Sequence, residues 1–352
     1  LERAGSCLLN LGFKDWFDSE GSECDEPTRE VLNLFVQRKE RWRSVDFVIE
    51  LRDSVIFDSL DDRCGLRNLE EARVCARYWD KETSDAFWTR IHRSPALRSV
   101  DWFRAYKGFG LPMHAPWRQL RSITTLGEVS DGEILFILKA CPDLLSLNVR
   151  YTTSTLMTSE LPPPSSSALI QHNWLETLTL HIAADETPFF DYLSLPNLKT
   201  LHIGNECMTQ EFCLEEAIGR PVEECLKRSK CTLRDLEILR FEHAPNMDKL
   251  LSRLLYHPAT RDLDSFDLYP TPSHSQPFDL DILTEHPASC VRDAAVAIED
   301  RRHQQHLVIV SPTKGRVVDL VDMDCEEYGF LEDEVKHDSI EFEFGLWLGE
   351  NY

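Results

Sequence analysis

Glycine is scarce: 14 residues in 352, against 18 prolines. That makes an enzyme built on glycine-rich phosphate or dinucleotide loops a poor default. Proline and glycine together are too few for a disordered chain. Basic residues are also few. Thirty-eight Lys and Arg face 61 Asp and Glu, a formal charge of −23. Nucleic-acid binding needs clustered cations on phosphates, so this balance argues against it, and against an anionic membrane surface. No run approaches the roughly 18 apolar residues of a membrane span. Eleven cysteines are scattered with no Cys-x-x-Cys pair, the nearest spacings being Cys207 to Cys213 and Cys225 to Cys231. Neither resembles a zinc knuckle or a secreted disulfide frame. Free, buried thiols point to a reducing compartment, hence an intracellular, cytoplasmic or nuclear protein.

Motifs of catalysis are missing too. The chain has no G-x-S-x-G, P-loop, G-x-G-x-x-G or H-E-x-x-H,. His303 and His306 could share a helical face, but no carboxylate pattern accompanies them. Asp322, Asp324 and Glu326 lack the central glycine and distal glutamate of a calcium loop. The reading is therefore a non-enzyme with no catalytic residues, no cofactor and no metal. An enzyme on an unrecognised α/β fold is the remote alternative.

What the chain does contain is a worn internal repeat. The pattern is L-x-x-L-x-L, with any large apolar residue in place of Leu. Clear copies are Trp42/Val45/Phe47, Leu97/Val100/Trp102, Leu144/Leu147/Val149, Leu175/Leu178/Leu180, Leu198/Leu201/Ile203, Leu236/Leu239/Phe241 and Leu263/Phe266/Leu268. Weaker copies begin at Leu66 and Leu120. Steps between first positions are 24, 31, 23, 24, 31, 23, 38 and 27 residues. Most lie at or just above the roughly 20–29-residue period of leucine-rich repeats. The second half of each copy alternates apolar and polar, as a strand with one buried face does. One such strand cannot bury that face alone, whereas many stacked side by side can.

Parallel strands need crossovers, and the intervening segments supply them. Helical spacing marks Glu30–Arg38, Leu214–Arg228 and Pro245–Leu255. Ser130-Asp-Gly-Glu133 is a capping box that opens another helix. The predicted architecture is an α/β, irregular leucine-rich-repeat solenoid. Its form is a right-handed arc with parallel strands on the concave face and helices outside. Residues 1–289 form the array of about nine to ten degenerate repeats. Residues 290–352 form a C-terminal cap and acidic tail. There Cys290–Arg302 reads as a helix and His306–Val310 and Val317–Val321 as strands. Twelve acidic residues follow Arg316, opposed by Lys336 alone. Tyr151–Ser167 reads as a long loop.

Two polar columns follow from the pattern. Its third position holds Ser44, Ser99, Ser122, Ser146, Thr177, Thr200 and Ser265. Small hydroxyls there would align in the sheet and leave room for curvature. Its fifth position holds Asp46, Glu70, Asp101, Thr124, Asn148, Thr179, His202, Arg240 and Asp267. These are the candidate partner-binding residues, because the concave face is where repeat arrays bind. Acidic early positions suggest a protein partner that presents a basic segment.

The opening Leu1–Leu11 and the stretch Glu40–Phe47, with the repeats continuing to Leu268, resemble the repeat region of a large group of fungal F-box proteins. In that family an F-box helix bundle precedes the repeats and docks on the Skp-type adaptor of a cullin–RING ubiquitin ligase. The repeats select what is ubiquitinated. The resemblance implies that role here, with the adaptor reached only through an F-box upstream of Leu1. The chain starts with Leu1 rather than Met and reads as a fragment. A leucine-rich-repeat scaffold with no ubiquitin link is the alternative. One departure from regular repeats stands out. Their asparagine three residues past the third apolar position is replaced by Glu50, Ala105, Thr152, Ala183, Glu206 and Ala244. Uneven geometry is expected in consequence.

Overall fold

The computed structural model describes residues 7–14, 26–50, 56–57, 59–60, 66–77, 79–103, 111–112, 114–153, 169–182, 188–205, 218–239, 247–269, 281–304, 308–311 and 316–319. The strands in chain order are β1 Leu9–Lys14, β2 Trp42–Glu50, β3 Glu71–Arg77, β4 Ser99–Phe103, β5 Ser122–Ser130, β6 Ser146–Thr153 and β7 Ile170–Gln171. They continue with β8 Thr177–Ile182, β9 Leu193–Ser194, β10 Thr200–Asn205, β11 Asp235–Leu239, β12 Ser265–Tyr269, β13 Val308–Ser311 and β14 Arg316–Asp319. The helices are α1 Glu26–Val36, α2 Lys81–Ile91, α3 Asp131–Ala140, α4 Arg220–Ser229, α5 Met247–Leu255, α6 Asp281–Thr284 and α7 Ser289–Gln304.

This is a mixed α/β molecule. Ten strands form one sheet in the order β1-β2-β3-β4-β5-β6-β8-β10-β11-β12. Every neighbouring pair in it is parallel. Strand order follows chain order, so each strand pairs with the next sheet strand along the chain. The chain divides into two compact units, Leu1–Ala295 and Val296–Tyr352. The first holds this sheet, together with a small parallel pair, β7 with β9. The second holds an antiparallel hairpin, β13 with β14.

One face of the large sheet is apolar because the alternation within each strand sends every second side chain inward. Val45, Phe47 and Ile49 are buried on β2, Val100 and Trp102 on β4, and Leu178, Leu180 and Ile182 on β8. The packing against this face changes in kind along the chain. From β1 to α3 it is an aromatic relay. Phe13 meets Phe35 at 6.5 Å, Phe35 stacks on Phe47 at 6.2 Å, and Phe47 leads to Phe57 and Phe87. Phe87 passes to Trp88, Trp102, Trp117 and Phe136. The fully buried rings among them, such as Phe47, Phe57 and Phe87, each contribute about 1.5–3 kcal/mol by burial, with edge-to-face pairs adding about 1 kcal/mol. From β6 onward Leu, Ile and Val dominate.

From β4 onward the entry to each strand of the large sheet is built in one repeated way. The carbonyl of Glu70 accepts the N–H groups of Arg98 and Ser99 at 2.8 and 3.0 Å. That of Arg98 accepts Arg121 and Ser122, and that of Arg121 accepts Leu145 and Ser146. The same fork recurs at Leu145, Glu176, Lys199 and Arg234. Side-chain amides reinforce it. Asn68 donates to the Glu40 carbonyl at 2.8 Å, Gln119 to that of Ser94 at 2.8 Å, and Asn197 to that of Asn173. The amides thus sit at the strand entries, where each ties one crossover to the next. Buried histidines do similar work. His172 accepts the Leu175 N–H at Nδ1, which leaves Nε2 to donate to the Cys141 carbonyl at 2.8 Å. His286 joins Ala288 to the Leu255 carbonyl in the same manner.

The helices agree with their local signals. Ser130 and Glu133 form the expected capping box at α3. Asp80 caps α2 by accepting from the Thr83 N–H at 2.7 Å. The helix expected over Glu30–Arg38 begins earlier, as α1 from Glu26. The one over Pro245–Leu255 is α5, starting at Met247. Among the described residues no helix is long and apolar enough to cross a membrane.

Candidate partner-binding face

The opposite face of the sheet is polar. The register aligns Gly12, Asp46, Arg73, Asp101, Thr124, Asn148, Thr179, His202, Glu237 and Asp267 in one row. A second row runs through Asn10, Ser44, Glu71, Ser99, Ser122, Ser146, Thr177, Thr200, Asp235 and Ser265. The small hydroxyls therefore share a column, with Glu71 and Asp235 as its acidic members.

Two of the expected residues need correction. Glu70 is not in the first row, because Arg73 pairs with both Asp46 and Asp101. The inward residues of β3 are Ala72 and Val74, three residues past the pattern read from Leu66. Glu70 lies at the strand entry instead, where it accepts from Arg43 at 3.0 Å. Likewise Glu237, not Arg240, stands between His202 and Asp267. Leu236 and Ile238 are the buried pair of β11, so its repeat starts at Leu233. Arg240 itself is outside the described residues, as are 154–168, 320–352, His306 and the side chain of His303.

These corrections change the electrostatics. Arg73 lies between the early acids: its Nε is 3.1 Å from Asp101 Oδ2 and its Nη1 3.8 Å from Asp46 Oδ2. Burial nevertheless pushes the Asp101 carboxyl up to about 6, against the pull of Arg73 and Arg150. Its second oxygen, Oδ1, is buried with no hydrogen-bond partner. Thr124, Asn148 and Thr179 make the middle of the row neutral, and Asn148 Oδ1 is a further buried acceptor with no partner.

The far end is acidic around one imidazole. His202 Nε2 lies 3.2 Å from Asp235 Oδ2, and Nδ1 lies 3.0 Å from Glu237 Oε2 and 3.4 Å from Thr179 Oγ1. Burial acts to lower the His202 pKa, but the Asp235 hydrogen bond and the charges of Glu237, Asp235 and Asp267 outweigh it, so the net shift is upward. Glu237 is raised by burial and by Asp267 and Asp235, with His202 and His181 acting the other way. Gly204 lets the His181 ring lie over β10: a Cβ there would meet Nδ1 at 2.8 Å.

No protein-family model matches the chain, and no curated protein matches it closely enough to count as a relative. Chemistry must therefore be judged from the residues. Among the described residues no group of three or more His, Cys, Asp or Glu could hold a metal ion. Of the described cysteines, Cys75, Cys141, Cys225, Cys231 and Cys290 are buried, and Cys7 is exposed. Burial pushes Cys141 up to about 12 and Cys225 and Cys231 up to about 11. Thiols so placed are poor nucleophiles. What the face offers is a polar surface on which acidic residues outnumber basic ones.

Proposed function

We propose that this chain is an irregular leucine-rich-repeat solenoid whose concave strand face binds another protein. The observation that carries the reading is the run of ten parallel strands in chain order, joined by the repeated entry fork. A sheet built one strand per crossover has a long free face, which is where repeat arrays bind partners. The face bears Asp46, Asp101, Asp235, Glu237 and Asp267 in its two rows. A protein with a basic segment suits it, most of all at the end where three carboxylates surround His202.

The role proposed is substrate selection by an F-box subunit of a cullin–RING ubiquitin ligase, with the adaptor engaged through an F-box preceding Leu1. It draws on the resemblance of residues 1–270 to the repeat region of F-box proteins. The test has two arms. The product of the complete gene should co-purify with a Skp-type adaptor; absence of the adaptor would remove the ligase role and leave a scaffold. Proteins captured with the proteasome blocked should be lost when Glu237 and Asp267 are both changed to Lys. Retention of the same captured proteins would sink the assignment of this face.

A further inference from the structure

A third row of side chains lies at the strand entries, on the residues that form the backbone fork. It reads Arg43, Glu70, Arg98, Arg121, Leu145, Glu176, Lys199, Arg234 and Asp264. At both ends the charges pair with neighbours. Arg43 meets Glu70 at 3.0 Å, Lys199 meets Glu176 at 2.7 Å, and Arg234 meets Asp264 at 3.5 Å. The pairing breaks in the middle. There two arginines stand side by side, a destabilising arrangement on a sheet. Arg98 turns one nitrogen to the carbonyls of Pro95 and Leu97. Arg121 is exposed and forms no ion pair with the described residues. Arg118, also exposed, adds a third cation in the turn before β5.

The break is also where apolar side chains come to the surface. Leu145, next in the row, is 36% exposed. Trp174, on the loop leading into the neighbouring β8, is 58% exposed. A tryptophan left this open on the same edge as two arginines that form no ion pair with the described residues has the composition of a binding hot spot, where Trp and Arg are the enriched residues. Local charge sets the sign of the partner. In a chain of −23 this stretch of the edge carries three cations, half-exposed Arg98 and exposed Arg118 and Arg121, against exposed Asp143 and a Glu176 already paired with Lys199.

We propose that this edge, Arg98, Arg118, Arg121, Leu145 and Trp174, docks an acidic segment of a partner protein, with its carboxylates on the arginines and an apolar side chain on Leu145 and Trp174. Arginine's planar fork favours carboxylate pairing. This surface is separate from the polar face and does not depend on the ligase role.

The test uses a fluorescein-labelled peptide of repeating Glu-Glu-Leu, titrated with the full chain and followed by anisotropy. Binding should weaken about tenfold or more in the Arg98→Glu/Arg121→Glu variant and in Trp174→Ala. It should be unchanged in Arg43→Glu and Arg234→Glu, which reverse paired charges in the same row. A Gln-Gln-Leu peptide should bind at least about tenfold more weakly. All variants should melt within a few degrees of the parent. Equal weakening by the row-end variants, equal binding of the Gln peptide, or no binding at all would each overturn the proposal.

Discussion

Arg73 Nε donates to Asp101 Oδ2 across adjacent parallel strands at 3.1 Å, yet the partner oxygen Oδ1 remains buried without a hydrogen bond. The carboxylate is thus half satisfied, and burial raises its pKa from 3.8 to about 6. A carboxyl raised on folding favours the folded state fully below its unfolded pKa. That contribution is lost as pH climbs through the folded value. Wild type should therefore lose stability relative to Asp101→Asn between about pH 4 and pH 7, by up to about 3 kcal/mol. Urea melts of the two proteins at both pH values measure the difference. A constant gap would refute the assignment. Replacing Arg73 with Met should move the Asp101 midpoint higher still, as a carboxyl-carbon NMR titration would report.

His202 provides a second pH dependence, with facing groups from three strands: Thr179 on β8, Asp235 and Glu237 on β11, and Asp267 on β12. Its pKa is raised on folding. The imidazolium then stabilises the sheet below the unfolded value near 6.5 and ceases to do so as pH rises through the higher folded value. Amide exchange in β10 and β11 should accelerate from pH 6 to pH 8, beyond the intrinsic pH effect, more in wild type than in His202→Gln. Identical acceleration in both would show that the bracket is electrostatically idle.

Glu133 holds more than its helix. One carboxylate oxygen accepts the Ser130 N–H at 3.0 Å and the other accepts the Leu111 N–H at 3.1 Å, both buried. Removing it orphans two buried donors. Each orphan costs about 1–3 kcal/mol. Glu133→Ala should therefore destabilise by roughly 2–6 kcal/mol, and Glu133→Gln, which keeps one acceptor, by clearly less. Thermal melts of the two variants decide it, and equal losses would mean that the second acceptor is irrelevant.

Some of this was legible in the sequence and some was not, for reasons of range. The Ser130/Glu133 box is contained in four residues, so it could be read directly. β2, β4 and β8 carry large apolar side chains at every inward position, which fixes their register. β3 puts Ala72 at such a position, and the pattern slid to Leu66. β11 ends at Leu239, which with Phe241 offers a second alternation three residues later and so moved Arg240 into the row in place of Glu237. The Arg73 bridge, the His202 bracket and the unpaired Arg98 and Arg121 all depend on which residues become neighbours across strands. A slip at one strand hides them. The aromatic relay is invisible for the same reason, because its rings come from segments that only packing brings together.

Lys230 tests a purely backbone effect. It caps the C-terminal end of α4 in the left-handed region, φ 52° and ψ 29°, and its N–H donates to the Leu226 carbonyl at 2.9 Å. It is the single non-glycine residue with positive φ among those described. A side chain in that conformation costs about 1–2 kcal/mol, whereas glycine adopts it freely. Glycine gives back part of this through the entropy of the unfolded chain. It also loses a cation near the helix C-terminus, worth about 0.3–1 kcal/mol. Lys230→Gly should still stabilise modestly, by about 0.5 kcal/mol. Lys230→Val, β-branched and hence worse suited to positive φ, should destabilise by about 1 kcal/mol or more. The sign difference between these two substitutions at one exposed site is the diagnostic, and a loss in both would mean that the lysine makes a contact its geometry does not reveal.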